Sequence, residues 1–146
     1  MTTELISTAV HSEITVVSAV IYDAQGQCLL QQRGPTREFG GMWEHPGGKV
    51  ESDETHEAAL ARELREELGV ALTSMRGPVL SVYFAPPVVR RAVTLAAYFC
   101  GVTGTPQCLE DQTGLLWSDP KWSSPGLRYT AASRLVIAYL RVTGSQ

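Results

Sequence analysis

The sequence predicts an α/β fold in which a mixed β-sheet is sandwiched between α-helices. Three observations carry this. Runs of β-branched and aromatic residues punctuated by turn signals read as strands. Two segments repeat apolar residues at helical spacing. Strand-like sequence of about sixty residues separates those two segments, so strands and helices are interleaved.

The elements follow in order. Residues 13–23 (EITVVSAVIYD) suit a buried strand, AQGQ at 24–27 is a turn signal, and CLLQQR at 28–33 is a shorter strand. The two strands together predict a hairpin. Residues 34–41 are loop. From 55 to 68 the pattern turns helical, with Leu60, Leu64 and Leu68 at i, i+4 and i+8 and Ala61 on the same side. Thr55 is the expected N-cap, Glu57 complements the helix dipole, and Gly69 is the expected stop. Residues 78–86 and 90–102 read as strands joined by a loop that holds Pro86 and Pro87. A loop covers 103–114, and 115–119 is a short strand. Residues 130–142 place Ala132, Leu135, Val136, Tyr139 and Leu140 on one face of a second amphipathic helix.

At 146 residues the chain is expected to form one domain, 1–146. Apolar residues make up 44% and charged residues 18%, a mixture that buries a core. A net charge of −3 and a pI near 5.6 argue against duplex nucleic acid as a partner. An acidic protein that handles phosphates needs a metal ion or local arginines instead. Cys28, Cys100 and Cys108 show no CxxC spacing and read as reduced thiols, which points to the cytoplasm. The opening MTTELISTAVHSE has no basic segment followed by an apolar run, so no signal peptide is expected. No stretch reaches the roughly 18 apolar residues of a membrane span.

Chemistry concentrates on the first helix. Glu63, Glu66 and Glu67 lie at i, i+3 and i+4, so their carboxylates share one edge beside the leucine stripe. Like charges at that spacing repel, and a hard divalent cation such as Mg²⁺ relieves the repulsion. A solvated acidic face is the bland alternative. The surrounding residues decide between them. Gly48, Glu54, Arg62, Glu63, Leu64, Glu66, Glu67, Gly69 and Val70 fit G-x5-E-x7-R-E-U-x-E-E-x-G-U at every position, U being aliphatic. Its seven fixed residues coincide by chance on the order of once in 10⁸ starting points, at ordinary residue frequencies.

This pattern is the Nudix box, and the chain resembles the Nudix hydrolases. The context WEHPGGKVESDETHEAALARELREELGV is most similar to the MutT-type branch. The resemblance implies the Nudix fold and hydrolysis of a nucleoside diphosphate linked to another moiety, with Mg²⁺ or Mn²⁺ as cofactor. It implies Glu63, Glu66, Glu67 and the Gly47 carbonyl as metal ligands, with Glu63 alternatively the general base. Glu54 matches a supporting position, and Arg62 is expected to pair with a carboxylate so that the ligands keep their orientation. The loop GTPQCLEDQ is where a further catalytic acid is expected. Glu110 is the candidate, Asp111 its rival, and an exposed loop glutamate the bland reading.

On the substrate side the resemblance implies Arg33, Glu44, His45 and Ser133. Arg33 reads either as a phosphate contact or as a rim salt bridge. His45 is expected to stack on a base or to titrate near neutral pH, and Trp43 to pack. His11 and His56 read as surface residues. Two departures bear on specificity. His45 stands where relatives carry an aromatic, and Ser133 stands at or near an asparagine that reads oxidised guanine in the best-known MutT enzyme.

The leading expectation is a (d)NTP or modified-nucleotide pyrophosphohydrolase that yields monophosphate and pyrophosphate, either as a monomer or as a homodimer. Hydrolysis of ADP-ribose or a nucleoside diphosphate sugar is the second enzyme reading, supported by the position of Pro86. A non-catalytic nucleotide-sensing domain is the third, and intact box acids argue against it.

Overall fold

Two parallel strands set the architecture. In the computed structural model, which describes residues 13–85, 92–122 and 124–143, β1 (Glu13–Val20) runs beside β6 (Ala92–Thr103). Their register extends from Glu13↔Ala92 to Val20↔Phe99. β4 (Gly47–Lys49) pairs antiparallel with the other edge of β1, and β5 (Ala71–Phe84) pairs antiparallel with β6. The resulting mixed sheet has the order β4-β1-β6-β5. Helix α1 (His56–Leu68) covers one face, its Leu60, Leu64 and Leu68 packing on Val17, Ala19 and Ala96. Helix α2 (Ala131–Thr143) covers the other, with Val136 and Leu140 against Val20, Leu95 and Ala97. A sheet buried on both faces needs apolar residues at successive positions, which is why β1 and β6 read as near-continuous apolar runs. The expected sandwich is therefore present.

A second sheet of order β3-β2-β7 stands beside it, built from β2 (Cys28–Gln32), β3 (Trp43–Glu44) and β7 (Gly114–Ser118). Here the structure corrects the expected hairpin. The turn forms, with Asp23 Oδ1 accepting from the Gln25 and Gln27 amides at 2.9 and 2.8 Å. A bridge joins Tyr22 to Cys28, and the Leu29 N–H reaches the Ile21 carbonyl at 3.0 Å. Pairing goes no further, because both edges of β1 are occupied by β4 and β6. β2 joins β7 and β3 instead.

Three further differences follow from local sequence. β5 begins at Ala71, not at 78, because the stretch 71–77 alternates polar residues on a largely exposed edge strand and does not read as buried. Its register shifts between Arg76 and Leu80. β3 and β4 are two and three residues long, too short for periodicity to reveal. Pro86, Pro87, His11 and the expected strand start at 90–91 lie outside the described residues.

The helix ends follow their capping residues. Thr55 Oγ1 accepts from the Ala58 N–H at 3.0 Å, and Gly69, at φ 72°, closes α1 in the left-handed conformation. Thr130 Oγ1 accepts from the Ser133 N–H at 3.3 Å at the start of α2. No described helix is long and apolar enough to cross a membrane.

Candidate active site

The acidic edge of α1 faces β4, which is held between β1 and the helix. At Gly47 the backbone takes φ 150°, and a Cβ there would overlap the Val17 carbonyl oxygen. Gly48 has no such backbone conflict, but a Cβ would lie 2.6 Å from Glu63 Oε1. The two glycines thus let the strand approach the helix until a carboxylate rests on bare backbone.

Arg62 organises this edge. Its Nε and Nη2 donate to the two oxygens of Glu54 at 2.7 and 2.9 Å, and Nη2 also reaches the Lys49 carbonyl at 3.0 Å. Nη1 donates to Glu63 Oε1 at 2.7 Å and to Glu66 Oε1 at 3.4 Å. The paired guanidinium holds the Glu54 carboxyl down at about 2, helped by the Glu51 N–H, which donates to Glu54 at 2.9 Å.

Glu67 lies deeper, only 6% exposed, with Oε1 accepting from the Gly47 N–H at 3.2 Å. Burial pushes its carboxyl up to about 8, and the charges of Glu63 and Glu44 push the same way, against hydrogen bonding from Gln31 and Gly47. Burial also raises Glu63, opposed by Arg62 and reinforced by the charges of Glu66 and Glu110. Sharing one edge of α1 does not bring the three carboxylates to a common point. Among the described residues no three His, Cys, Asp or Glu side chains form a ready metal cage. Arg62 turns Glu63 and Glu66 toward itself, while Glu67 bonds to Gly47, so the three are adjacent without sharing a focus.

The donor set nevertheless fits a hard cation. It offers carboxylate and carbonyl oxygens, and one of its carboxylates is buried beside two like charges, a destabilised arrangement that added positive charge relieves.

The loop between β6 and β7 closes over the end of α1. The Gln107 and Leu109 amides donate to the Leu68 and Glu67 carbonyls, both at 3.0 Å. Glu110 is exposed, near enough to Glu63 for its charge to act there. Asp111 pairs instead with Arg37 at 3.4 Å.

On the other side, Arg33 Nη1 donates to Glu44 Oε1 at 3.0 Å and its Nε to the Glu38 carbonyl at 2.7 Å, so in this structure it forms the salt bridge. His45 and Ser133 come together although 88 positions apart. The His45 N–H donates to Ser133 Oγ at 2.8 Å, and Nδ1 lies 2.9 Å from the same oxygen. The Ser133 hydroxyl thus meets both the backbone and the ring of His45, and the direction of the Nδ1 bond follows the ring tautomer. His45 is 4% exposed, and burial lowers its pKa to about 4. It is therefore neutral at pH 7, and neither base stacking nor titration near neutral pH describes it in this structure. Trp43 packs with Leu30, Tyr129 and Ile137. His56 is not a plain surface residue, since its Nδ1 lies 2.6 Å from the Tyr98 hydroxyl.

Sequence reasoning missed Gln31 and Gln112. Gln31 carried a signal, being a polar residue directly after the apolar run Cys28–Leu30 of β2, and the structure leaves it 1% exposed. Gln112, in a polar loop, carried none. The free thiols of Cys28 and Cys100 are pushed up to about 12 by burial, whereas Cys108 is exposed.

The NUDIX domain family matches residues 13–126. The CTP pyrophosphohydrolase of Escherichia coli K12 is 52% identical over 60 residues, covering 41% of this chain and 44% of that protein. An 8-oxo-dGTP diphosphatase of Proteus vulgaris is 43% identical over 61 residues, covering 42% and 54%. The chain thus spans about half the length of these curated relatives. The solution structure of the E. coli ORF135 protein superposes with a TM-score of 0.75 at 32% identity, covering 92% of this chain and 94% of that one.

Two tests follow from the geometry. A Cβ at Gly48 meets only the far end of the flexible Glu63 side chain, so Gly48→Ala should fold yet displace that carboxylate. Mn²⁺ affinity should fall about 10-fold or more, measured by titration of the folded variant. Unchanged affinity would remove Glu63 from the cation site. The second concerns Glu54, whose folded carboxyl titrates near 2 against an ordinary 4.5, so its pairing stabilises the fold above about pH 4.5 and is lost as pH falls toward 2. The gap in thermal midpoint between wild type and Glu54→Gln should narrow over that window, and a constant gap would contradict the pairing.

Proposed function

The chain belongs to the NUDIX domain family, and on that premise we propose that it is a Mg²⁺-dependent nucleotide pyrophosphohydrolase. Its substrate is a (d)NTP or a base-modified nucleotide, released as the monophosphate and pyrophosphate. One observation carries the reading. Buried Glu67, Glu63 resting on Gly48 and the Arg62 fork together form an anionic edge suited to hold a divalent cation against phosphates. The names of the two curated relatives, CTP pyrophosphohydrolase and 8-oxo-dGTP diphosphatase, support a nucleoside triphosphate substrate.

Glu63, Glu66, Glu67 and the Gly47 carbonyl would hold Mg²⁺, with Mn²⁺ as an alternative occupant. When bound, the ion supplies neutralisation of phosphate charge and a lowered pKa for the attacking water. The chain's own groups do the rest. The Gly47 N–H keeps one oxygen of Glu67 oriented, and Arg62 keeps Glu63 and Glu66 on the same edge. The water oxygen bonds to a phosphorus of the triphosphate, the bridging P–O bond breaks, and the water's proton passes to a carboxylate.

Of the two candidates for that proton, Glu110 fits better than Glu63. Arg62 engages Glu63 at 2.7 Å, whereas the Glu110 carboxylate has no ion pair among the described residues. On the nucleoside side, Arg33 holds Glu44 in place, and the joined His45 and Ser133 form a neutral, rigid wall where relatives place an aromatic.

Glu67→Gln preserves side-chain shape and removes one ligand charge. Turnover of a nucleotide panel, including oxidised guanine and methylated cytosine triphosphates, should fall by about 10³-fold or more, with monophosphate and pyrophosphate as the wild-type products. Wild-type-like turnover in Glu67→Gln, or nucleotide binding without hydrolysis by wild type, would overturn the assignment.

A further inference from the structure

Three segments meet at one side-chain amide. Gln112 is half-buried within a stretch, 107–113, that is otherwise exposed. Its Nε2 donates to the Glu67 carbonyl at 2.8 Å and to Gln31 Oε1 at 3.0 Å, and its Oε1 accepts from the Glu110 N–H at 2.9 Å. The orientation of this amide is forced. Turned over, it would set oxygen against the Glu67 carbonyl and NH₂ against the Glu110 N–H. The chain continues in one direction, since Gln31 Nε2 donates to Glu44 Oε2 at 3.3 Å, and Glu44 is the carboxylate that Arg33 grips. Donors therefore run from the Glu110 amide through two buried or half-buried glutamines to an anion, an arrangement in which each bond polarises the next.

The neighbours of Glu110 are fixed as well. On one side the Leu109 N–H is bound to the Glu67 carbonyl at 3.0 Å. On the other, Asp111 is held by Arg37 at 3.4 Å and lies so close to Gly34 that a Cβ there would be 2.5 Å from the Asp111 carbonyl. The backbone of Glu110 is thus pinned from three directions while its carboxylate stays unpaired among the described residues and near Glu63.

We propose that Gln112 is a positioning residue, which sets the backbone of Glu110 so that its carboxylate faces the acidic edge of α1. The proposal rests on the role assigned to Glu110 above. Gln112 touches no substrate. It acts by tying the Glu110 loop to the last turn of α1 and to the floor of the second sheet.

A double-mutant cycle tests this. Gln112→Met keeps the length of the side chain and removes all three hydrogen bonds, and Glu110→Gln removes the carboxylate. With Mg²⁺ and a nucleoside triphosphate, Gln112→Met should lower kcat about 10- to 100-fold while KM changes less than about threefold. In the Glu110→Gln background the same substitution should lower kcat by less than about threefold further. Independent, multiplying losses would overturn the proposal, as would a wild-type kcat in either single variant. If Gln112→Met does not fold, Gln112→Ala repeats the cycle.

Amide hydrogen exchange separates this from the functional reading, because it needs no turnover. The Glu110 amide should exchange about 10-fold faster in Gln112→Met than in wild type, with the Ala59 and Val70 amides unchanged. An unchanged Glu110 amide would overturn the proposal even if the protein hydrolyses nucleotides. A protein that turns over no nucleotide yet shows the exchange effect would refute the enzyme reading and retain the anchor.

Discussion

A single guanidinium sits where four glutamates would otherwise repel one another. Arg62 pairs with Glu54 through two prongs and reaches Glu63 and Glu66 with a third, while Glu51 lies 3.9 Å away. Without it, the spacing that puts carboxylates at i, i+3 and i+4 would push them apart into solvent. The same contacts tie the helix to the turn before it and, through the Lys49 carbonyl, to β4. The orientation of the acidic edge and the seating of α1 on the sheet are therefore one construction. That is why an ion pair with modest exposure matters more here than an isolated surface pair would.

The sheet explains why the edge can be so crowded. β1 is held on both sides, by β4 and β6, so the backbone at Gly47 and Gly48 cannot retreat from the helix. Glu67 is consequently buried beside Glu63 and Glu44, and its carboxyl is forced up to about 8. On the proposed function, this crowded acidic edge is where a cation would be held against the phosphates. The far face of the sheet is tied to the same region through α2. Ser133 on α2 reaches His45 across 88 positions and joins the two sides.

The sequence showed elements wherever one physical pattern dominated. Both helices and the buried strands β1 and β6 were legible because apolar periodicity reports burial directly. Partner choice was not. Residues 13–33 look like a hairpin locally, and only the competition of β4 and β6 for the edges of β1 sends β2 to another sheet. Within the site, spacing located the acidic edge of α1, but not how its carboxylates divide. Whether Glu63 faces a neighbouring carboxylate or Arg62 depends on rotamers and on the turn carrying Glu54. His45 was misread for a similar reason, since a histidine beside glycines looks exposed until Ser133 arrives from a distant helix. Gln112 was invisible because its meaning lies entirely in the atoms around it.

The central claim is that this acidic edge is built for a divalent cation with Glu67 at its centre. The most direct measurement is the thermal unfolding midpoint of wild type and Glu67→Gln as Mg²⁺ is raised at constant ionic strength. A ligand that binds only the folded state raises stability by about 2.7 kcal/mol at 100 times its dissociation constant. The wild-type midpoint should therefore climb with Mg²⁺ while that of Glu67→Gln stays nearly flat. Equal responses in the two proteins, or none in wild type, would contradict it.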